Sequence, residues 1–225
     1  ITMSAYWYVT VYFLLIIVCP IINLYIKNTN ESQLKITILI LVVLFCLIPT
    51  IICYTDYTGV KDGYSLYWFV VLYLCAGYIK KYGQGIKLST SRCLIGYILF
   101  CAFLFGTKIA LYFLTSSIWG EPKFTNVLFR YNSIPVFGAS ICLFLFFKQL
   151  KINNQLLKRF ISFFAPLTFG VYLIHLHPAI KDWFWSKIVR PQNYTSSGIL
   201  LIHFLCVIFV VYFTCSMVEW VRQLV

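Results

Sequence analysis

Long, uninterrupted apolar stretches constrain the fold of this chain more than any other feature of its sequence. Seven of them are candidate membrane spans, at residues 5–27, 35–54, 64–79, 93–115, 131–147, 161–180 and 198–218. An α-helix needs about 20 apolar residues to cross a bilayer, and most of these stretches come close to that length. They are continuous rather than alternating, which indicates helices rather than strands. We therefore expect an all-α polytopic membrane protein with about seven transmembrane helices.

Composition supports this class. Hydrophobic residues make up 61% of the chain and charged residues only 11%, far from the balance of soluble domains. The third stretch is short, so we expect it to be re-entrant or strongly packed. Because no internal repeat or Gly/Ser-rich linker interrupts the chain, we expect a single integral-membrane domain over residues 1–225.

The net charge of +12 indicates topology rather than a nucleic-acid partner. Most basic residues lie in alternate connections and after the last span: Lys27, Lys35, Lys80, Lys81, Lys87, Arg92, Lys148, Lys151, Lys158, Arg159 and Arg222. The positive-inside rule places these connections in the cytoplasm. In the cell membrane, the start of this chain is then expected outside and its C-terminus in the cytoplasm.

The N-terminus indicates upstream sequence. The chain enters its first span at once from Ile1, with no basic region and no small-residue cleavage site, so this span is not a signal peptide. An outside start without an export signal predicts an odd number of preceding spans. We therefore expect these residues to be the C-terminal part of a larger helix bundle.

Histidines near the end of the sixth stretch are the strongest functional candidates. Thr168, Tyr172 and His175 fall at i, i+4 and i+7 of a helix, and Asp182 is expected to continue this polar stripe. Ionisable groups inside a span are costly unless they face a protein interior or a water-filled cavity. His177 points elsewhere and precedes a proline, so the two histidines do not predict a metal site.

The nine cysteines are scattered without a CxxC pair and are expected to be buried hydrophobes. No metal and no bound cofactor are predicted.

Several other polar and aromatic residues are expected at the same depth as His175. Lys108 lies about 24 Å beyond Arg92 along a helix, and His175 about 21 Å beyond Ile161, which places both in the outer half of the membrane. Lys108 shares its helical face with Tyr112 and Thr115. Together these positions predict an outward-facing polar pocket. The candidate substrate-binding residues are Lys108, Arg130, Tyr172, Asn132, Trp68 and Tyr64.

Each candidate also has a structural explanation. Lys108 can extend its ammonium group to the interface, and Arg130 can mark the membrane boundary. Tyr64 and Trp68 suit an aromatic belt at the interface, and Asn132 suits the start of a helix. The imidazole of His175 is favoured as functional because, when buried, both of its nitrogens need partners.

Four motifs resemble the membrane-bound acyltransferase 3 family, of the polysaccharide O-acyltransferase type. They are Tyr6-Trp-Tyr-Val-Thr-Val-Tyr12 through Pro20-Ile-Ile-Asn23, the run from Tyr64 to Tyr82, Tyr131-Asn-Ser-Ile-Pro135, and Thr168-Phe-Gly-Val-Tyr-Leu-Ile-His175. The resemblance covers nearly the whole chain, and its most specific part is the Tyr-Leu-Ile-His motif after a Phe-Gly pair.

The resemblance implies a fold of about ten helices and a transfer of acyl groups, commonly acetyl, from cytoplasmic acyl-CoA. The acceptors it implies are hydroxyls of cell-envelope or exported polysaccharides, so the expected partners are acyl-CoA, a glycan and the lipid bilayer. The family has a basic residue followed by a His in its first helix, which is the implied base, and an Arg-x-x-Arg motif. Neither is in these residues, as expected if about three N-terminal helices precede them. His175 then has an implied supporting or orienting role.

Two alternatives belong to other functional classes. A transporter or flippase of polysaccharide precursors would also need an outward polar pocket, but the chain shows no inverted repeat and no paired broken helices. A seven-span receptor is permitted by the span count alone. The Tyr-Leu-Ile-His motif favours the acyltransferase.

Overall fold

The computed structural model describes residues 6–52, 58–83, 88–194 and 198–224, and in these ranges it contains helices and no strand. The principal helices are α1 (Trp7–Asn28), α2 (Glu31–Ile51), α3 (Leu66–Tyr82), α4 (Thr90–Trp119), α5 (Ile134–Gln149), α6 (Gln155–His175), α7 (Pro178–Trp183) and α8 (Leu200–Leu224). The predicted all-α class is confirmed.

Six helices in the described ranges are long and apolar enough to cross a membrane: α1, α2, α4, α5 with its preceding turn, α6 and α8. The third predicted span corresponds to α3, which has 17 residues and a length of about 26 Å. Large apolar side chains face outward from the long helices, such as Ile21 at 71% and Leu201 at 70% exposure. Lipid can cover such surfaces, and the chain is a multi-pass membrane protein.

The described chain divides into two compact units. The larger unit is Tyr8–Leu150, and the smaller one combines residues 6–7 with residues 151–224. The larger unit thus contains nearly all of α1 through α5, and the smaller one contains α6, α7 and α8. The family motifs are therefore divided between the two units.

Helix α3 lies at the centre of the larger unit. Its Leu74 packs in a cluster with buried residues of α1 and α2, whereas its Trp68 and Val71 pack against Cys46 of α2. Ile79, near the end of α3, contacts residues of α4 and α5. The short third stretch was expected to be either re-entrant or strongly packed, and it is strongly packed.

Helix α2 contains a π-helical turn at Val43–Leu47. Two side chains bind the carbonyl groups of this turn: Thr50 Oγ1 donates to Cys46 O at 2.6 Å, and Asn132 Nδ2 donates to Phe45 O at 2.8 Å. A π turn breaks the regular i to i−4 hydrogen-bond pattern, so its carbonyls are open to such side-chain donors. The irregular turn of α2 is thereby joined to the start of α5.

In the smaller unit, α6 begins and ends earlier than the predicted span 161–180. It starts at Gln155, where the Asn154 side chain caps two backbone N–H groups, passes through a 3₁₀ turn at Ala165–Leu167 and ends at His175. The expectation that Asp182 continues the polar stripe is wrong, because Pro178 starts a separate helix, α7, that contains Asp182.

Candidate functional site

His175 lies in the last turn of α6, and its ring is held by the backbone of its own helix. Its Nδ1 is 2.7 Å from the carbonyl oxygen of Val171, one turn earlier. A carbonyl can only accept, so Nδ1 donates this hydrogen bond, and in the uncharged tautomer that fits it Nε2 is the acceptor nitrogen. Within the described ranges, no other residue bonds to this ring. His175 is half-buried, so Nε2 can accept a hydrogen bond from a ligand.

One aromatic ring packs against His175, and a second packs against the first. The Tyr172 ring lies edge-on to it at 6.2 Å, and the Tyr6 ring lies 6.5 Å from that of Tyr172. The Tyr6 hydroxyl donates to Leu173 O at 3.1 Å. Thr168 lies on the same helical segment as Tyr172 and His175, as the predicted stripe required.

The glycine of the Thr-Phe-Gly motif allows α6 to lie against a buried carboxylate. A Cβ atom on Gly170 would overlap the Glu219 side chain of α8. Glu219 is 6% exposed and accepts from Arg222 Nε at 2.7 Å and Arg222 Nη2 at 2.6 Å. Among described residues, the fully buried Ser216 hydroxyl, three positions before Glu219, has no hydrogen-bond partner. Sequence reasoning missed Glu219, since nothing in its own segment indicates this contact.

The larger unit has a second polar group of residues, here called the Arg130 cluster. It surrounds a cavity of about 280 Å³ and consists of Asp62, Tyr64, Asn126, Phe129, Arg130 and Tyr131. Arg130 Nε lies 3.1 Å from Asp62 Oδ1, and the Tyr64 and Tyr131 rings meet edge-on at 5.0 Å. The cavity is thus lined by two phenol rings and an ion pair.

A strained turn supports this cluster. Lys61, Asp62 and Gly63 all have positive φ, at 50°, 57° and 94°. Tyr131 N donates to Asp62 O at 3.1 Å, and a Cβ on Gly63 would lie 2.6 Å from Tyr131 Cβ. Residues other than glycine carry backbone strain at positive φ, and such conformations cluster at functional sites. Glycine at position 63 lets the turn contact the segment before α5.

The phenol of Tyr64 lies outside the helices, just before α3. Burial first, and then the neighbouring Tyr131 and Asp62, raise the pKa of Tyr64 above its ordinary value. Since that ordinary value is about 10, the hydroxyl stays protonated at neutral pH and can donate a hydrogen bond.

Lys108 reaches one wall of the same cavity. Its Nζ lies 5.1 Å from the ring centroid of Phe129, within the range of a cation–π contact. The other two residues of its predicted stripe do not line this cavity: Tyr112 packs edge-on against Phe113, and Thr115 Oγ1 accepts from the backbone N–H of Lys123 at 2.8 Å.

Two predicted binding residues lie in the core of the larger unit. Trp68 and Asn132 are each 2% exposed, with Trp68 edge-on to Phe137 at 5.4 Å. Neither is among the described residues that line the Arg130 cavity. A direct contact with substrate stays a prediction for both, and the structure gives each a packing role.

The structure therefore brings together Tyr64, Arg130 and Lys108 in one unit, and Tyr172 and His175 in the other. Sequence reasoning missed Asp62, Asn126 and Phe129 at the cavity, although the charge of Asp62 on the same predicted side as Arg130 was a weak signal. Among the described residues, no group of three or more His, Cys, Asp or Glu side chains could hold a metal ion.

Comparison with known families decides the assignment of the chain. The sequence model of the Acyl_transf_3 family, described as an acyltransferase domain, matches residues 1–220. The chain belongs to this acyltransferase family. No curated protein and no solved structure matches it.

Membership of the acyltransferase family confirms the resemblance that the four motifs indicated. The match spans both compact units, so the His175 motif and the Arg130 cluster both belong to the matched region. The chain is accordingly a membrane transferase of acyl groups.

Proposed function

We propose that this protein is an integral-membrane O-acyltransferase that moves an acyl group, commonly acetyl, from cytoplasmic acyl-CoA to a hydroxyl of a cell-envelope or exported glycan. Family membership supports the acyl transfer. The observation that carries the site is the geometry of His175, whose Nδ1 is bonded to Val171 O while Nε2 keeps its lone pair.

The reaction requires an oriented hydroxyl. Its oxygen attacks the acyl carbonyl, a C–O bond forms, the C–S bond to CoA breaks, and the hydroxyl proton passes through a base to the leaving sulfur. Nε2 of His175 accepts a hydrogen bond from this hydroxyl and orients it. The Tyr172 ring beside His175, and the Tyr6 ring packed against Tyr172, help to exclude water, which would otherwise hydrolyse the thioester.

The Arg130 cluster, within the larger unit, is suited by itself to bind a sugar. Tyr64 and Tyr131 offer aromatic faces and hydroxyls to a sugar ring, as aromatic side chains commonly do in ligand sites. Arg130 and Lys108 supply positive charge, which favours an acceptor carrying carboxylate or phosphate groups.

The test uses the intact protein in native membranes. Membranes that contain it are supplied with labelled acetyl-CoA, and base-labile label is measured in the glycan fraction. We expect the glycan to carry label as an ester that mild alkali releases as acetate. Membranes without the protein are the control. Equal labelling of the two membrane preparations, with the protein folded and present, would exclude the proposed activity.

A further inference from the structure

A large basic cavity in the larger unit has no role in the groups of residues described above. Its volume is about 790 Å³, and it opens where α1, α3 and α5 end. Lys27, Lys80, Lys81 and Lys148, each in the last turn of its helix, line it. No Asp or Glu is found among its described lining residues.

The four ammonium groups have different surroundings. Lys81 Nζ donates to two carbonyls in the last turn of α1 and to Thr29 O just after it, with the shortest bond at 2.7 Å to Ile26 O. Lys148 Nζ donates to Ile79 O at 3.1 Å. Lys27 and Lys80 are exposed and, within the described ranges, their ammonium groups bond to no carboxylate or carbonyl. None of the four charges is therefore neutralised by a described acidic side chain.

Helix ends do not cancel this charge. Each of the three C-termini contributes about −0.5 of an elementary charge, roughly −1.5 in total. Four ammonium groups exceed that sum, so the cavity remains strongly positive. The positive-inside rule accounts for lysines at the cytoplasmic ends of helices, but it does not require a cavity of this volume between those lysines.

The interior of the cavity is mostly apolar. Gly77 of α3 lets α1 approach closely, since a Cβ there would lie 2.5 Å from Ile26 Cδ1, and the Phe144 side chain forms another wall. The Tyr73 hydroxyl donates to Asn23 Oδ1 at 3.0 Å and adds a polar group. Basic residues around an apolar interior match a ligand with a phosphate-bearing head and a less polar remainder.

We propose that this cavity is a binding site for a ligand with two or more negative charges on phosphate groups. Two sources have this chemistry, the CoA part of an acyl donor and the headgroup of an anionic phospholipid. The assignment of a phosphate-binding site does not depend on the proposed function, whereas the identification of its ligand as CoA rests on that function.

The first experiment measures CoA binding to the intact protein in nanodiscs of uncharged phosphatidylcholine, with inorganic pyrophosphate as a competitor. The test variant is Lys27→Gln with Lys80→Gln, which leaves the two lysines that cap helix ends in place. Charge-assisted hydrogen bonds to phosphate are strong, so we expect at least about a tenfold loss of CoA affinity. The control pair, Lys35→Gln with Arg92→Gln, removes the same charge outside the cavity and should bind CoA like the wild type.

The second experiment distinguishes the lipid source. Nanodiscs with added phosphatidylglycerol are examined by native mass spectrometry for retained anionic lipid. If CoA does not bind and the Lys27/Lys80 variant alone loses retained phosphatidylglycerol, the site stands and its ligand is a lipid headgroup.

Two further results bear on the proposal. Equal behaviour of the test and control pairs toward both ligands would overturn it. Should the double variant fail to fold, as judged by melting and gel filtration, Lys80→Gln alone provides the comparison with Arg92→Gln. Binding of CoA without any acyl transfer would remove the proposed function and leave the cavity assignment intact.

Discussion

A single hydrogen bond determines what His175 can offer to a substrate. With Nδ1 committed to Val171 O, the ring presents an acceptor nitrogen and no second donor to a ligand. His177 has a different role, because its Nδ1 accepts from Ala179 N at 3.2 Å and caps α7. The two neighbouring histidines are therefore not equivalent.

We predict that His175→Ala lowers acyl transfer by about 10²-fold or more, in the range of a directly acting imidazole. His175→Gln should recover part of this loss, because its amide oxygen can accept the hydroxyl's hydrogen bond although it cannot act as a base. Rates are compared at matched protein levels in membranes, with His177→Ala as the control that keeps near-normal activity. Near-normal transfer by His175→Ala, or a greater loss in His177→Ala, would make His175 a packing residue.

At the scale of elements, the turn before α3 and the segment before α5 are built around one another. The backbone carbonyl of Asp62 accepts from Tyr131 N, and the Asp62 side chain pairs with Arg130. Tyr131 lies so close to Gly63 that position 63 has no space for a side chain. The ion pair is partly exposed and contributes little stability by itself. Backbone fit therefore matters more than charge at this contact.

We predict that Gly63→Ala lowers the free energy of unfolding by about 1–3 kcal/mol, because alanine is strained at a φ of 94° and meets Tyr131. Thermal melting in detergent or nanodiscs measures the change. Gly106→Ala in α4 is the matched control, since no atom lies within 4 Å of the added Cβ and alanine favours helix. Equal melting of the two variants would show that the turn adapts without strain.

For the whole molecule, charge asymmetry predicts the orientation of every helix in the membrane. The basic residues in the connection after α5 predict a cytoplasmic position for it, and the connection between α7 and α8 is predicted on the opposite side. The proposed donor and acceptor sides depend on this orientation.

We predict that a cysteine at Gln192 reacts with a membrane-impermeant maleimide in intact cells, whereas one at Asn153 reacts only after permeabilisation. Both positions are exposed, so access to the reagent depends on the side of the membrane. The unsubstituted protein corrects for labelling of its own cysteines. The reverse pattern would invert the topology and place the proposed acceptor site in the cytoplasm.

Much of the fold and part of the site could be predicted from the sequence. Helices follow from local hydrophobicity over about 20 residues, and the Thr168–His175 motif is contiguous, so its stripe and family could be identified directly. The start of α6 was missed because hydropathy does not register a polar first turn, although Asn154 as an N-cap was a usable signal.

The sequence by itself determined the membrane class, the approximate spans and the family, because these depend on neighbouring residues along the chain. Only the tertiary structure decided which distant residues meet. Arg130 with Asp62, Gly170 with Glu219 and Lys108 with Phe129 come from separate segments. Such contacts depend on helix register and loop geometry. Packing of the whole unit selects the register and the geometry.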